Sequence, residues 1–540
     1  MECSSALLSY KDTGSFNQIV TDYVDGAADL GPFYEHPVSY EGIAAAIRNR
    51  EIFPTDRQTI VEVLTEQYSK SMLIDPVVDA NIRKLGDQKT FVITTAHQPN
   101  IFSGYLYFIY KIIHAIKLAD DLKEKFPEYD FVPVYYMGSE DADLDELGKI
   151  WLSGEKLVWD TKQTGAVGRM NTKGLDKLVH RIEGELSVLP FGAELVSLLK
   201  EAYLQSPDIQ TATFRLVHNL FASFGLVVLI ADHPLLKRKM IQVFTDDLLH
   251  HKPSEIVNAT TEQLAKKYKV QASPREINLF YLKDDIRNRI DKDGDDFVVV
   301  DTDLRFTRAE LLQELELYPE RFSPNVILRG LYQETILPGI AFIGGGGELA
   351  YWLELKNLFE HYKVPYPVQV LRNSFLLVEQ NWEEKMNSLD LRVEDFFRST
   401  QQLTDELVKR DSAAQVHLTN ELRDTSAFYD HLRKISGKID KTLEVHVSAL
   451  EKRMTKQLQE LEKKLLRAER RKFGDQSRQI AAIRAALFPN DNLQERVENF
   501  MPYYARLGKT FFETIYECSP VLEQKFVLLE LKEKKVGFEV

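Results

Sequence analysis

The stretch FVITTAHQPN (residues 91–100) is a short β-rich run that ends in polar residues, and Gly104 then opens the long amphipathic segment GYLYFIYKIIHAIKLADDL. A second β-rich run, FVPVYYM (131–137), follows this segment. Strand, loop, helix and strand in this order are typical of a parallel sheet with right-handed crossover connections. The sequence therefore predicts an α/β fold built on a parallel sheet.

Three further runs extend this predicted sheet: LVVLIA (226–231), AFI (341–343) and PVQVL (367–371). Residues 1–85 show apolar positions three or four apart and are predicted to be mostly helical. Between about 265 and 322 the pattern changes to short β segments, with an Asp-Gly pair between IRNRI and FVVV that is typical of a hairpin turn. We expect this stretch to be an insertion in the sheet domain.

From about residue 380 the chain becomes helical and highly charged. Apolar residues recur at spacings of four and three between Leu443 and Ala468, which is typical of a coiled coil. Ile480, Ile483 and Leu487, after a break at Gly474-Asp475, predict a returning helix and so an antiparallel helical hairpin. The predicted organisation is a core at 1–379 with an N-terminal helical segment, a helical region at 380–500 with an antiparallel coiled coil near 438–487, and a segment at 501–540 that returns to the core.

Composition narrows the class of protein. The chain has 540 residues, of which 44% are hydrophobic and 28% charged, as in a soluble globular protein. A net charge of −14 does not favour a nucleic-acid partner, because phosphate binding needs clustered Lys and Arg. Two cysteines, Cys3 and Cys518, are too few for a disulfide framework or a structural zinc site. Without a signal peptide or an apolar run of about 18 residues, we expect a cytoplasmic protein with no membrane partner.

The first candidate site is the loop His97-Gln98-Pro99-Asn100, with Gly104 and Lys111. A polar loop at the carboxyl end of a parallel strand lies at the crevice where open α/β sheets bind ligands. Backbone N–H groups at such a loop attract phosphate or carboxylate. The alternative is that His97 and Asn100 only cap the start of the helix.

The second candidate is a group of five carboxylates directly after the FVPVYYM run. They repel one another unless a cation or a cationic substrate group neutralises them, so they can hold Mg²⁺ for a nucleotide, or a sugar or amine. The alternative is that they only favour a helix dipole. The five residues are Glu140, Asp141, Asp143, Asp145 and Glu146.

The third candidate is the run of four glycines that begins at Gly344. It fits the loose G-x-G-x-x-A form of the dinucleotide fingerprint, but no acidic residue ends the following strand, where Arg372 stands instead. Glycines still let a phosphate or acyl group approach the backbone closely, or they only form a tight turn. Arg329 and Gln333, just before the glycines, are a fourth candidate for a carboxylate or phosphate. No P-loop, G-x-S-x-G or H-E-x-x-H motif occurs.

Four blocks together resemble the BshC family of bacillithiol biosynthesis, over nearly the whole chain. In the first block His97, Pro99-Asn100 and Tyr105 replace the family's commoner residues, and in the second Ala142 stands where the family often has histidine. No general-base role is therefore assigned to position 142. The blocks are HQPN (97–100) through GYLYFIYK (104–111), GSEDADLDE (138–146), FSPNVILR (322–329) continued by Gln333-Glu334-Thr335, Leu337-Pro338, Gly344-Gly345, Glu348 and Ala350-Tyr351-Trp352, and LQERVEN (493–499).

The resemblance implies a Rossmann-like core similar to class I nucleotidyltransferases and a coiled coil used for homodimerisation. It also implies a cysteine ligase that joins cysteine to the amine of glucosaminyl malate in the last step of bacillithiol biosynthesis. Amide formation needs an activated carboxyl group, most simply made with ATP, and Mg²⁺ would accompany the nucleotide. The sequence has no clear H-x-G-H or K-M-S-K-S motif, so adenylation is implied by the resemblance alone.

On this hypothesis the predicted site divides into two groups. The residues near the reacting groups are His97, Gln98, Asn100, Asp141 and Asp143, and those that bind substrate are Gly104, Lys111, Glu140, Arg329, Gln333 and Gly345. No protein-bound metal is predicted. Two alternatives stay open: a nucleotidyltransferase acting on another metabolite, and a non-enzymatic dimeric scaffold in which the coiled coil is the functional part.

Overall fold

A computed structural model describes residues 4–73 and 75–531. The chain divides into two compact units. The described residues up to Leu377, together with Asn492–Glu530, form the first unit, and Val378–Asp491 belong to the second. Of the C-terminal segment predicted at 501–540, residues 532–540 lie outside the described part, as does Cys3.

The strands of the described residues alternate with helices through most of the first unit. They are β1 (Ser4–Leu8), β2 (Thr90–His97), β3 (Asp130–Met137), β4 (Lys149–Leu152), β5 (Glu155–Val158), β6 (Val227–Ile230), β7 (Leu279–Lys283), β8 (Ile286–Asp293), β9 (Asp296–Val299), β10 (Arg305–Phe306), β11 (Phe322–Pro324), β12 (Gly339–Gly344), β13 (Val368–Leu371), β14 (Ser374–Glu379) and β15 (Phe526–Leu531).

The helices up to Tyr362 and those after Asn492 belong to the first unit, and those between Gln380 and Leu487 belong to the second. They are α1 (Gln18–Val24), α2 (Tyr40–Ile52), α3 (Arg57–Ser71), α4 (Pro76–Lys84), α5 (Leu106–Lys125), α6 (Leu144–Leu147), α7 (Leu175–Leu186), α8 (Gly192–Leu204), α9 (Ile209–Phe221), α10 (Pro234–Lys237), α11 (Ile241–His250), α12 (Lys252–Leu264), α13 (Arg308–Leu317), α14 (Val326–Ile336), α15 (Gly346–Trp352), α16 (Lys356–Tyr362), α17 (Gln380–Ser388), α18 (Thr400–Asp411), α19 (Thr419–Ile439), α20 (Thr442–Arg470), α21 (Gly474–Leu487), α22 (Met501–Leu507) and α23 (Thr510–Glu517).

The central sheet is parallel, with strand order β13-β12-β2-β3-β6. The five runs predicted as parallel strands all lie in it, so the predicted fold class is confirmed. Every residue of β2 is buried, as expected for a strand covered on both faces. Apolar residues of β2, β12 and β13 pack with those of α2 and α5 in one core, which includes Phe91, Ile343, Val370, Ala115 and Leu118. The carboxyl ends of β2, β3, β12 and β13 therefore lie side by side.

An antiparallel sheet, β10-β9-β8-β7-β11, is built by the segment predicted as a β-rich insertion. The expected hairpin joins β8 to β9, with Asp293 opposite Asp296 and Gly294 at a φ of +65°. Strand β11 leads into α14, whose first turn is capped by the side chain of Asn325. Because α14 is followed by β12, this sheet lies in the chain directly before a central strand.

A small sheet of order β1-β15-β14 brings the two ends of the described chain together. The sequence predicts a mostly helical segment at residues 1–85 and no strand at β1. The SSALL sequence of this strand is too short to show a strand pattern. Its pairing with β15 joins Leu8 to Phe526, more than 500 residues apart in the chain. Such a strand is stabilised by tertiary pairing rather than by local propensity.

In the second unit α20 pairs with the helix before it, α19. The hairpin turn lies at Asp440-Lys441, and Arg433 of α19 forms an ion pair with Glu451 of α20. The prediction that the helix after Gly474 is the antiparallel partner is therefore wrong. Helix α21 does begin at Gly474, but it packs on α17 and α18, because these helices cover its apolar residues Ile480, Ile483 and Leu487.

Candidate active site

A cavity of about 350 Å³ opens at the carboxyl ends of four central strands. The residues that directly follow β2, β3, β12 and β13 all line this cleft, as expected for an open α/β sheet. They are Gln98, Gly138, Gly345 and Arg372. The remaining lining residues are Ala96, His97, Tyr107, Lys111, Tyr136, Glu140, Asp141, Glu146, Arg287, Pro324, Asn325, Val326, Arg329, Gly346, Gly347, Glu348, Tyr351 and Arg496.

Most of the predicted site residues meet in this cleft. Those that line it are His97, Gln98, Lys111, Glu140, Asp141, Arg329 and Gly345. The predicted residues that do not line it are Asn100, Gly104, Asp143 and Gln333. Of these four, Gln333 contacts the lining residue Arg329 and Asp143 caps α6, and the role of all four near the substrates stays a prediction.

The loop after β2 is tightly folded around Gly104. Gly104 has a φ of +67°, and a Cβ atom there would lie 2.9 Å from the Cβ of Asn100, so no other residue fits without rearrangement. Asn499 holds the loop from the other side, because its Nδ2 donates to the carbonyl oxygens of Phe102 (2.9 Å) and Gly104 (2.5 Å). Asn100 is 2% exposed, and its side-chain polar atoms have no hydrogen-bond partner among residues 4–73 and 75–531.

Three carboxylates after β3, Glu140, Asp141 and Glu146, face the cleft and are here named the acidic wall. The Asp141 carboxylate accepts a hydrogen bond from Nε2 of Gln98 (3.1 Å), and Glu140 forms an ion pair with the fully buried Lys237. Burial, together with the neighbouring aspartates, raises the pKa of Glu146. The predicted repulsion among these acids is thus relieved at Glu140 by a lysine, whereas Asp141 and Glu146 present their charge to the cleft.

The other two acids of this stretch have structural roles. Asp143 is the N-cap of α6, where its Oδ1 accepts a hydrogen bond from the backbone N–H of Glu146 (2.9 Å). Asp145 is exposed in the first turn of the same helix. Both therefore follow the helix-dipole alternative, since carboxylates stabilise a helix start.

Four cations, Lys111, Arg329, Arg372 and Arg496, also line the cleft and are here named the basic wall. Lys111 is buried, donates to the carbonyl of Ala96 (2.9 Å) and forms an ion pair with Glu348. Glu348 also accepts the backbone N–H of Gly345 (2.8 Å). The predicted anion-binding amide of Gly345 is thus bound to the chain's own carboxylate.

A buried chain of contacts orients Arg329. Its Nη1 donates to Oε1 of Gln333 (3.3 Å), and its Nη2 donates to the hydroxyl of Tyr351. The amide of Gln333 donates in turn to Glu334 (2.9 Å), which forms a fully buried ion pair with Arg50 (2.6 Å). Gln333 therefore holds Arg329 in place and does not itself reach the cleft.

Arg372 and Arg496 are lining residues that sequence reasoning does not place in the site. Arg372 forms a bidentate, buried pair with Glu495 at 2.9 and 2.7 Å, and its guanidinium lies 5.2 Å from the ring centroid of Tyr107. Arg496 follows Glu495 in the chain and reaches the same wall. The position of Arg372 directly after a predicted strand is a signal that would have found it, and Arg496 stands in the LQERVEN block (493–499) that carries the family resemblance.

The imidazole of His97 is neutral in this environment. Burial, with further contributions from Lys111, Arg372 and Arg329, lowers the pKa of His97 well below its ordinary value. Its ring lies 5.1 Å from that of Phe108 and 5.4 Å from that of Tyr107, and its Nε2 has no hydrogen-bond partner in the described part of the chain. A neutral imidazole can accept a proton, which fits a reaction that releases one.

No group of three or more His, Cys, Asp or Glu side chains in the described residues is arranged to hold a metal ion. Asp141 and Glu146 face the cleft, but Glu140 is already bound to Lys237. Among the described residues, no helix combines the length and apolar character that crossing a membrane requires.

The sequence matches two family models along almost all of its length. Residues 1–373 match the model described as "Bacillithiol biosynthesis BshC, N-terminal Rossmann-like domain". Residues 375–531 match the model described as "Bacillithiol biosynthesis BshC, C-terminal coiled-coil domain". The chain belongs to the BshC family.

Curated relatives carry the same family name. A protein of Flavobacterium johnsoniae, named "Putative cysteine ligase BshC", is 37% identical over 526 residues, which cover 97% of this chain and 99% of the relative. Relatives with that name from Chlorobaculum tepidum and Bacillus cytotoxicus are 31% and 25% identical and cover 86% and 93% of this chain. Membership confirms the predicted family, the Rossmann-like and coiled-coil domains, and an enzyme of the ligase class in bacillithiol biosynthesis.

Proposed function

We propose that this BshC protein joins cysteine to the amine of glucosaminyl malate, forming an amide bond in the last step of bacillithiol biosynthesis. The observation that carries the proposal is a single cleft lined both by the carboxylates of the acidic wall and by the cations of the basic wall. Both proposed substrates combine an amine with carboxylates, so each needs an acid and a cation to bind it. The relatives' printed name, which specifies a cysteine ligase, supports the same substrate.

The basic wall suits the anionic groups of the reaction. Arginine guanidinium groups bind carboxylates and phosphates through two parallel hydrogen bonds. Arg329 and Arg496 have no ion-pair partner within the described residues, which leaves them available to the two malate carboxylates or to phosphate. Arg372 already holds Glu495, so it acts mainly through its charge.

His97 is the proposed proton acceptor. When the sugar nitrogen attacks an activated cysteine carboxyl carbon, the C–N bond forms, the activating phosphate or AMP leaves, and the nitrogen must release a proton. The neutral ring has an unprotonated nitrogen for that proton, and because burial and the charges of Lys111, Arg372 and Arg329 lower the pKa of His97, it holds the proton only transiently. The same positive charges disfavour a second ammonium, so an amine bound beside them is kept neutral and nucleophilic.

ATP is the proposed activating nucleotide, with Mg²⁺ bound to its phosphates. The cysteine carboxylate would attack a phosphorus atom of ATP and release either pyrophosphate or ADP. The cations of the basic wall fit such phosphates. The occupied Gly345 amide does not, because Glu348 would first have to release it.

The homodimer is proposed to form through the second unit. Helices α19 and α20 expose large apolar side chains, among them Phe428, Ile439, Val445 and Leu461 at 58%, 77%, 74% and 46% exposure. A second copy of the hairpin would cover such a surface, since a coiled coil buries its apolar seam against a partner helix. Light scattering of the purified chain should give twice the monomer mass, and a monomer mass would contradict this part of the proposal.

The ligase is tested by mass spectrometry of the purified protein with cysteine, glucosaminyl malate, ATP and Mg²⁺, each omitted in turn. We expect bacillithiol only in the complete mixture, with AMP or ADP identifying the activation route. Arg329→Met should lower kcat/KM at least tenfold, and Arg289→Met, a matched change outside the cleft, should not. Absence of product, with no binding of glucosaminyl malate, would overturn the proposal.

A further inference from the structure

Arg287 reaches the cleft from the antiparallel sheet and is not among the residues assigned above. Its guanidinium lies 4.0 Å from the ring centroid of Phe280, and its Nε donates to the hydroxyl of Ser323 (3.2 Å). These two contacts fix the guanidinium by one face and by one nitrogen. In the described part of the chain it forms no ion pair with a carboxylate, so both Nη groups are left for a ligand.

Asp141 lines the same cleft, and its carboxylate is likewise held by neutral hydrogen-bonding groups rather than by an opposite charge. Its Oδ2 accepts from Gln98 (3.1 Å) and its Oδ1 accepts from the backbone N–H of Asp143 (3.2 Å). A carboxylate has about four acceptor positions, so it can still accept further hydrogen bonds. No ion pair joins Asp141 to Arg287 within residues 4–73 and 75–531, although the charge of Asp141 contributes to the electrostatic surroundings of Arg287.

Two opposite charges therefore face one cleft and are held apart by their own supports. Both side chains are half-buried, so each has lost part of its hydration without gaining the other's attraction. A ligand that carries both charges a short distance apart would give each of these two protein charges an opposite charge as its partner. An α-amino acid is such a ligand, because its ammonium and carboxylate are attached to the same carbon atom.

We propose that Asp141 and Arg287 form the cysteine-binding site, with the α-ammonium on Asp141 and the α-carboxylate on Arg287. The inference rests on the proposed function and specifies where one of its two substrates binds. Arg287 binds one carboxylate oxygen and leaves the other to attack the nucleotide.

This site also explains which amine reacts. Cysteine has an amine of its own, and condensation of two cysteines would compete with the intended reaction. Asp141, with Glu146 beside it, keeps the cysteine nitrogen protonated and therefore not nucleophilic. The sugar nitrogen lies toward the basic wall and His97, where a neutral amine is favoured. The acidic wall thus keeps the cysteine amine protonated, whereas the basic wall keeps the sugar amine neutral and able to react.

Calorimetric titration of the full-length protein with three small thiols tests the assignment. Cysteine carries both charged groups, 3-mercaptopropionate lacks the ammonium, and cysteamine lacks the carboxylate. The wild-type protein should bind cysteine at least tenfold more tightly than either analogue, because each lost charge-assisted hydrogen bond leaves a protein charge unpaired.

Two variants assign each group to its residue. Asp141→Asn should weaken cysteine about tenfold or more and abolish the preference for cysteine over 3-mercaptopropionate. Arg287→Met, which keeps an apolar stem on Phe280, should do the same for the preference over cysteamine. The controls are Asp145→Asn, in the same acidic stretch, and Arg289→Met, on the same strand, since neither residue lines the cleft.

Thermal melting of each variant separates a lost contact from a lost fold, and Arg287→Lys should retain part of the cysteine affinity. Unchanged cysteine affinity in folded Asp141→Asn and Arg287→Met would overturn the site and leave the ligase proposal standing. Wild-type protein that binds no cysteine and makes no bacillithiol in the complete mixture would overturn both.

Discussion

The acidic wall of the cleft comes from one stretch of seven residues after β3, whereas the basic wall gathers Lys111, Arg329, Arg372 and Arg496 from four distant segments. Carboxylates that are neighbours in the chain are visible as a pattern in the sequence. Cations that meet only in the folded protein are not. The acidic part of the site is thus formed by residues that are close together in the chain, and the basic part by residues that are far apart in it.

The supports of the two walls differ as well. Two cations of the basic wall are backed by buried groups: Arg372 by Glu495, and Arg329 by the Gln333-Glu334-Arg50 chain. A third, Lys111, pairs with the half-buried Glu348, which lines the cleft itself. Asp141 and Asp143 of the acidic stretch are held by hydrogen bonds from an amide side chain and from backbone N–H groups. Like charges gathered in a low-dielectric crevice repel strongly, so the clustered cations need counter-charges behind them.

The largest expected effect follows from removing the support furthest behind the basic wall. Arg50→Met leaves the buried carboxylate of Glu334 without its cation, and should lower the free energy of unfolding by about 3–5 kcal/mol. Arg57→Met is the matched control: Arg57 is also buried, but its Nη1 donates to the backbone carbonyls of Leu85 and Thr90.

Chemical denaturation measures both variants of this pair. Burial already raises the pKa of Glu334, and the loss of Arg50 raises it further. The destabilisation of Arg50→Met should therefore grow as the pH rises above the ordinary glutamate value, because the unfolded chain releases the proton that the folded one retains. A double change, Arg50→Met with Glu334→Gln, should recover part of the loss. Equal losses in Arg50→Met and Arg57→Met would show that the ion pair is not what supports this wall.

A second effect comes from His114, behind the loop that carries Arg372. Its Nε2 donates to the carbonyl of Val521 (2.8 Å), and its Nδ1 accepts the backbone N–H of Asn373 (3.1 Å). Burial lowers the pKa of His114 from 6.5 to about 4, opposed by the Val521 carbonyl and assisted by Arg372. The stability due to the neutral ring is complete above about pH 6.5 and is lost as the pH falls toward 4, by about 3 kcal/mol in total.

Urea denaturation between pH 4 and 7 measures this dependence. His114→Gln should flatten the decline relative to the wild-type protein, whereas His180→Gln, at an exposed helix position, should leave it unchanged. The same slope in all three proteins would mean that acid weakens the protein elsewhere.

Much of the fold follows from local sequence. The five central strands are continuous apolar runs between turn residues, and the loops after them are predicted as the site for that reason. Strand β1 is missed, because its five residues gain their structure from pairing with β15. The coiled-coil helix is found but its partner is wrong, since a heptad pattern specifies an apolar seam and not which helix covers it.

The sequence predicts the site residues that stand in loops next to predicted strands and misses those that stand in distant segments. His97, Gln98 and Asp141 stand in loops next to predicted strands and do line the cleft. Arg287 and Arg496 stand in charged segments far from those loops, and only the tertiary fold brings them there. Gln333 is correctly associated with Arg329, but it lies behind the arginine because α14 points that face inward.

A third prediction concerns that glutamine. Gln333→Leu removes the acceptor from Arg329 without leaving a charge unpaired, so kcat/KM for the ligase reaction should fall about tenfold, or about 1.4 kcal/mol. Thr335→Val, two residues further along α14, keeps the side-chain shape and should leave kcat/KM unchanged. If Gln333 acts through Arg329, adding Gln333→Leu to Arg329→Met should cost nothing more. A full additive loss in the double variant would give the glutamine a separate role.

The smallest effect is expected next to the acidic wall, at a residue that does not line the cleft. Asp143→Ala removes the N-cap of α6 and should lower the free energy of unfolding by about 1 kcal/mol, as measured by chemical denaturation. Asp145→Ala, in the first turn of the same helix but without the capping bond, should cost less. The amide of residue 143 that binds Asp141 is retained in Asp143→Ala, so any loss of cysteine affinity would reflect a looser loop. If Asp143→Ala lowered the free energy of unfolding as much as Arg50→Met does, the difference between the supports of the two walls would be contradicted. One local carboxylate would then stabilise its wall as strongly as a buried ion pair does.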